Sequence, residues 1–165
     1  MPFSTQKRIL FLSTAAGVAL WSFCSPGAEI AVTLSDAGLE AAAAMPSDMG
    51  MAMAGAEKGP PVMIITASAT KVSPGEVTFL VTNASGALIH EMIVASLVDA
   101  AEPLPYVDAD LRVDEEGVQV LGEVPELEPG RTGSLTLKLD EGKYLLFCNM
   151  PGHYAARMWT LLTVE

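Results

Sequence analysis

Gly133-Ser-Leu-Thr-Leu-Lys-Leu-Asp-Glu-Gly-Lys-Tyr-Leu-Leu-Phe-Cys-Asn-Met-Pro-Gly-His-Tyr-Ala-Ala-Arg-Met158 is the stretch that decides how this chain folds. In its first seven residues, Leu135, Leu137 and Leu139 share one face while Ser134, Thr136 and Lys138 share the other. That alternation is the period-two signature of a half-buried strand. Asp140-Glu141-Gly142-Lys143 makes a tight turn into a second strand, Tyr144 to Cys148, whose residues are apolar on both faces as far as Phe147. A thiol, an imidazole and a thioether follow at Cys148, His153 and Met158, with four residues between each pair.

Outward from this unit the same rhythm continues. Strands are expected at Val62 to Ser68, Val77 to Thr82, Ile89 to Ala95, Val118 to Val124 and Met158 to Val164. Ser73-Pro74-Gly75-Glu76, Asn83-Ala-Ser-Gly86 and Glu128-Pro129-Gly130-Arg131 supply turns between them. Seven short strands with turn signals between them read as an all-β antiparallel sandwich over residues 61–165, with no room for a second core. Residues 96–117 break the rhythm. Pro103, Pro105 and a dense run of acids oppose strand pairing, so this segment is expected to cross the sandwich edge, with a helical turn.

The N-terminal third reads differently. Lys7 and Arg8 precede an uncharged run from Ile9 to Phe23, 15 residues long, followed by Cys24-Ser-Pro-Gly-Ala28. The run falls short of the roughly 20 residues that span a bilayer. Residues 1–27 therefore read as a secretory signal cut near Gly27; the alternative is an uncleaved anchor, the only contact with a membrane then expected. Either way the body of the protein is expected outside the cytoplasm, in a periplasmic or similar compartment. Residues 28–60 read as an Ala- and Met-rich linker. Met45, Met49, Met51 and Met53 crowd into nine of its residues, either as filler in a tether or as thioethers that capture a soft metal.

Composition narrows the chemistry. Of 165 residues, 50% are apolar and 18% charged, which excludes a wholly disordered polyelectrolyte. The formal charge of −11, from 20 acids and 9 bases, argues against nucleic acid or anionic lipid as the main partner. The chain holds two histidines and two cysteines, so any imidazole site uses His90 or His153. His90 lies in the expected strand Ile89-His90-Glu91-Met92, just after a Gly-containing turn.

Taken singly, each of these side chains suits a buried core. Taken together, His90, Cys148, His153 and Met158 are two imidazoles, a thiolate and a thioether. A trigonal Cys/His/His set with a weak axial Met is the type 1 copper arrangement. Zinc is the rival ion, but its sites take Cys, His, Asp or Glu and seldom Met.

The segment Tyr144 to Met158 resembles the ligand loop of the cupredoxins, the family of plastocyanin, azurin and sulfocyanin. Gly75 to Asn83 and Ile89 to Met92 resemble the strand pair that delivers that family's first histidine. The resemblance covers residues 61–165, and the loop spacings are those of its rusticyanin-like and sulfocyanin-like members. It implies a Greek-key sandwich, one copper held by His90, Cys148, His153 and Met158, and electron transfer. Two positions depart from the pattern. Glu91 stands where many members have an Asn that braces the loop, and Arg157 stands where related loops carry Gly, a strained choice if the backbone there needs positive φ.

Three function classes are open to these residues. The first is a single-electron carrier whose His153 edge emerges among Met150, Pro151, Tyr154, Ala155 and Ala156 to meet a redox partner, such as a cytochrome or oxidase subunit. Ten acids between Asp99 and Glu128, against Arg112 alone, either steer a basic partner or simply solvate the surface. The second is a copper chaperone or store that uses the Met-rich run. The third, an enzyme, is disfavoured, because a catalytic copper needs further histidines and the proposed site uses both.

Overall fold

In the computed structural model, residues 27–36, 63–98 and 104–165 are described. The signal segment and the Met45 to Met53 run lie outside them. The elements are β1 (Ala28–Ser35), β2 (Ile64–Ala67), β3 (Lys71–Val72), β4 (Gly75–Asn83), β5 (His90–Leu97), β6 (Tyr106–Val107), β7 (Arg112–Val113), a 3-10 turn at Glu115–Gly117, β8 (Val120–Leu127), β9 (Thr132–Leu139), β10 (Gly142–Phe147) and β11 (Trp159–Val164). Two sheets face each other, one in the order β2-β1-β4-β9 and the other in the order β3-β11-β10-β5-β8; β6 and β7 form a separate ribbon. Among the described residues no helix is long and apolar enough to cross a membrane.

The expected all-β sandwich is present. Its sheets are mixed rather than purely antiparallel, because β1 runs parallel to β4 and β3 runs parallel to β11. The first of these pairs also revises the expected linker over residues 28–60. Ala28–Ser35 is an inner strand of the first sheet, with Ile30, Val32 and Leu34 buried in the core. Its alternation was present in Glu29-Ile-Ala-Val-Thr-Leu34, where Ile30, Val32 and Leu34 face in while Glu29, Ala31 and Thr33 face out. An inner strand pairs on both edges, so the backbone polar groups of these residues are satisfied within the sheet. The stretch between β1 and β2 therefore joins two neighbouring strands of one sheet. It leaves after Asp36 and returns at Met63, next to the Ser35 and Ile64 pair.

The core between the sheets takes Val77, Phe79 and Val81 from β4, Met92 and Val94 from β5, and Tyr144 and Leu146 from β10. Gly133 lets β9 approach β8. A Cβ there would meet Val124 Cγ1 at 2.5 Å, closer than real side chains come.

A second apolar cluster lies on the outer face of the second sheet. Ile93, Ala95, Leu145, Phe147 and Trp159 line that face and are covered by Val113 and Tyr154, with Leu104, Tyr106 and Val118 packed against them. This accounts for the apolar character of β10 on both faces, since strands buried on both sides read as continuous hydrophobic runs. It also gives the described part of the expected edge crossing over residues 96–117 a second role. Their acids face water, while Leu104, Tyr106, Val113 and Val118 roof the sheet.

If β1 is part of the core, Ile30→Ala lowers stability by about 2–5 kcal/mol in urea titrations, the range for emptying a fully buried aliphatic site. Unchanged stability would show that the domain folds without this strand.

Candidate metal centre

His90 opens β5 at the end of the sandwich where β1 and β4 finish. Asn83, fully buried at the end of β4, prepares this corner. Its Nδ2 donates to Leu88 O at 2.8 Å and to Leu127 O at 2.7 Å, and its Oδ1 accepts the Ser85 N–H at 2.9 Å. Ser85 Oγ in turn accepts the Leu88 N–H at 2.8 Å. The Asn-Ala-Ser-Gly turn read in the sequence is thus a local hydrogen-bond clamp on both backbone segments beside His90. His90 pairs with Leu127, and the register slips between His90 and Met92, where β8 carries an extra residue. Pro125 lies in that slip on an edge strand, a position that tolerates its missing N–H.

Cys148 follows the last residue of β10, and the loop returns to β11 over ten residues in a series of tight turns. His153 N–H donates to Met150 O, Ala156 N–H to Gly152 O and Arg157 N–H to Tyr154 O, each at 2.9 Å. Met158 closes the loop, donating its N–H to His153 O at 3.0 Å and accepting the Cys148 N–H at 3.1 Å. Gly152 has φ 81°, where glycine is free to sit. Arg157 has φ 69°, so the strained backbone anticipated at this non-glycine position is present, at a cost of about 1–3 kcal/mol.

The fold brings three of the four sequence-predicted side chains into mutual contact. His90 Nδ1 lies 3.2 Å from His153 Nδ1, and Cys148 Sγ lies 3.3 Å from His153 Nδ1. All three donor atoms fall within 4.8 Å of one another. Met158 is fully buried, at the end of the same loop. A cation bound at about 2.0–2.3 Å by trigonal nitrogen and sulfur donors holds them roughly 3.5–3.8 Å apart. The two spacings from His153, 3.2 and 3.3 Å, are a few tenths of an ångström shorter, and the third pair stays within 4.8 Å, so the donor set suits a small, borderline-soft ion. His153 is 9% exposed, less open than the sequence suggested, and Tyr154 is buried rather than part of a surface patch. Tyr154 stacks on Tyr106 at 6.1 Å and meets the edge of Phe147 at 5.7 Å.

Burial sets the protonation of the donors. It lowers the pKa of His90, against an opposing pull from Asp36, and lowers that of His153 to about 4, with His90 adding to the effect. Both imidazoles are thereby kept neutral, the form that ligates metals. Burial pushes the Cys148 thiol up to about 11, while N–H groups of Glu91 and Met150 favour its thiolate. The Glu91 N–H donates to Cys148 Sγ at 3.5 Å.

Sequence reasoning missed the residues that hold the loop. The brace left in doubt by Glu91 is supplied by its own carboxylate, whose Oε1 accepts the Asn149 N–H at 3.0 Å. Asn149 itself, fully buried, pairs with Val113 and Glu115. Nothing in the spacing of single residues reports these contacts, which join positions more than 30 apart. Burial raises the Glu91 pKa to about 7, with Glu126 adding to it and the Asn149 hydrogen bond opposing it.

These shifts act in opposite senses on the metal-free protein. The lowered imidazoles give stability that is present above pH 6.5 and lost as pH falls. Glu91, raised from 4.5 to about 7, gives stability that is present at low pH and lost as pH rises through about 7. Glu91→Gln removes the opposing contribution. Metal-free E91Q is therefore expected to lose stability more steeply than the parent as pH drops from 6.5 to 4.5 in urea titrations; equal slopes would mean that Glu91 titrates normally in the fold.

No family model matches the chain, and no curated protein sequence matches it. Its fold does match solved structures. Rusticyanin from Thiobacillus ferrooxidans superposes at a TM-score of 0.51 with 16% identity, over 84% of this chain and 79% of that one. Reduced rusticyanin gives 0.51 with 15% identity, over 86% and 82%. Auracyanin A, described as a "blue" copper protein from Chloroflexus aurantiacus, gives 0.48 with 19% identity, over 83% and 99%. At these identities the rusticyanin likeness establishes the fold, the same sandwich that the ligand-loop resemblance implied.

Proposed function

We propose that this chain, which has the cupredoxin fold, binds one type 1 copper through His90, Cys148, His153 and Met158 and carries single electrons between redox proteins outside the cytoplasm. The observation that carries the reading is the approach of three buried donor atoms, His90 Nδ1, His153 Nδ1 and Cys148 Sγ, at 3.2 and 3.3 Å. Copper bound there supplies a one-electron couple between Cu(I) and Cu(II). The chain's own part is to hold donors suited to both states, with a thiolate favouring tight binding and a thioether favouring the reduced ion. The backbone bonds from Met158 to Cys148 and to His153 keep the loop from opening. Both histidines of the chain lie in this one cluster, which leaves no imidazole for a second, catalytic copper and favours a carrier over an enzyme.

The route proposed for the electron is the remaining exposed edge of His153. Exposed Pro151 and half-buried Met150, Gly152, Ala155 and Ala156 surround it. Leu111, 51% exposed, adds apolar surface through the bond from Gly152 N–H to Leu111 O. Asp108, Asp110, Asp114, Glu115 and Glu116 stand exposed on the same segment. A small apolar patch with an acidic rim suits brief docking of a basic redox partner, such as a cytochrome or oxidase subunit. With a cationic cytochrome, electron-transfer rates should fall steeply with added salt; rates indifferent to ionic strength would dispose of steering.

A second reading, copper delivery or storage, gains from where the residues flanking the Met-rich stretch lie. The described chain leaves β1 at Asp36, whose charge reaches His90, and resumes at Met63 beside the Ser35 and Ile64 pair, so these flanking residues lie at the metal-centre end. One set of measurements separates the two. The full chain loaded with Cu(II) should develop intense visible absorption and the EPR signal of a copper thiolate. Cys148→Ser should abolish the colour, and Met158→Leu should keep it while shifting the potential. Deleting residues 45–53 should leave electron transfer intact in a carrier and cripple copper transfer to a competing apo-protein in a chaperone. A protein that takes up Cu(II) without colour would overturn both the type 1 assignment and the carrier.

A further inference from the structure

The roof over the second sheet is fastened to the metal-binding loop by more than packing. Asn149, directly after Cys148 and fully buried, uses both ends of its side-chain amide on that roof. The Val113 N–H donates to its Oδ1 at 2.7 Å, and its Nδ2 donates to Val113 O at 3.1 Å and to Glu115 Oε1 at 2.7 Å. The pair of bonds to one residue's N–H and C=O imitates the exchange between paired strands. Three residues on, the Gly152 N–H donates to Leu111 O at 2.8 Å, with Leu111 itself in the left-handed region at φ 54°. The Asn149 N–H meanwhile goes to Glu91 Oε1 at 3.0 Å, next to His90. One residue thus joins the loop carrying Cys148, the start of β5 and the ribbon strand β7.

We propose that Asn149 is a positioning residue of the metal centre. It fixes the Cys148 backbone against the 104–118 segment, so that metal retention and the order of that segment depend on each other. The inference rests on the copper reading. Its physical basis is that the bonded groups are buried: Val113 is 3% exposed and Asn149 is 1% exposed. Without the amide, the Val113 N–H and C=O lose their partners away from water, and the ribbon must shift to find others. A shift of the ribbon carries Gly152 with it through Leu111, and hence His153. Coupling of this kind is reciprocal by thermodynamic linkage: an ion that holds Cys148 and His153 in place also orders the ribbon, and an ordered ribbon retains the ion longer. The exposed acids that face a docking partner lie on this same ribbon, so partner contact bears directly on the centre.

The test uses the full copper-loaded chain. Asn149→Ala keeps the ligands and should keep the colour. It should surrender copper to a chelator about tenfold faster or more, as when other outer partners of metal ligands are removed. Its reduction potential and EPR hyperfine splitting should also move, readouts that a merely structural contact elsewhere would leave alone. Glu115→Gln, at an exposed side chain, weakens only one of the three bonds. It should shift copper release in the same direction by less, and it keeps the test decisive if N149A does not fold. In the unaltered protein, the Val113 and Gly152 amides should exchange hydrogen more slowly with copper than without. A coloured parent whose N149A variant matches it in copper release and potential overturns this role alone, as does Val113 exchange indifferent to copper. A parent that takes up no colour overturns this role together with the copper reading.

Discussion

Two neutral imidazoles and a thiol held within a few ångströms of one another, out of water, are the constraint around which the rest of this fold is arranged. The charged form of each group would sooner be hydrated, and burial shifts all three toward neutrality. Such a cluster persists only if the backbone around it leaves its members nowhere else to go. The clamp of Asn83 on Leu88 and Leu127 fixes the approach to His90. The bonds of Met158 to Cys148 and His153 fix the loop. Glu91 and Asn149 then join the two, across 58 positions of sequence.

The sandwich supplies rigidity on one side only. On the other, the acidic segment with its β6–β7 ribbon acts as a second wall, placing Val113, Tyr106 and Leu104 on a sheet face that would otherwise be exposed. The same segment therefore does two things that are usually separate. Its apolar residues complete a core, and its carboxylates present a charged surface beside the route proposed for the electron. The positive φ values at Leu111 and Arg157 lie in the ribbon and the ligand loop, the kind of place where backbone strain collects around functional groups.

Much of this was legible in the linear sequence. The alternation of Leu135, Leu137 and Leu139, the turns at Asn83 and Asp140, and the spacing of Cys148, His153 and Met158 are local patterns, and local patterns survive without the fold. β1 was also local and legible, in Ile30, Val32 and Leu34, but it was overshadowed by the signal-like run before it and the Ala-rich run after it. The parallel pairing of β1 with β4 could not be read at all, because period two is the same for either direction of pairing.

What the sequence determined by itself was the repertoire: an all-β chain, two imidazoles in total, and a thiol, an imidazole and a thioether on one loop. Their chemistry follows from residue type and needs no coordinates. What only the tertiary structure decided was adjacency. That His90 meets His153, that Ser35 pairs with Ile64, and that Asn149 locks onto Val113 are all consequences of strand order. Contacts between residues 29 to 63 positions apart depend on how strands are stacked and registered, and no single segment of the chain encodes that alone.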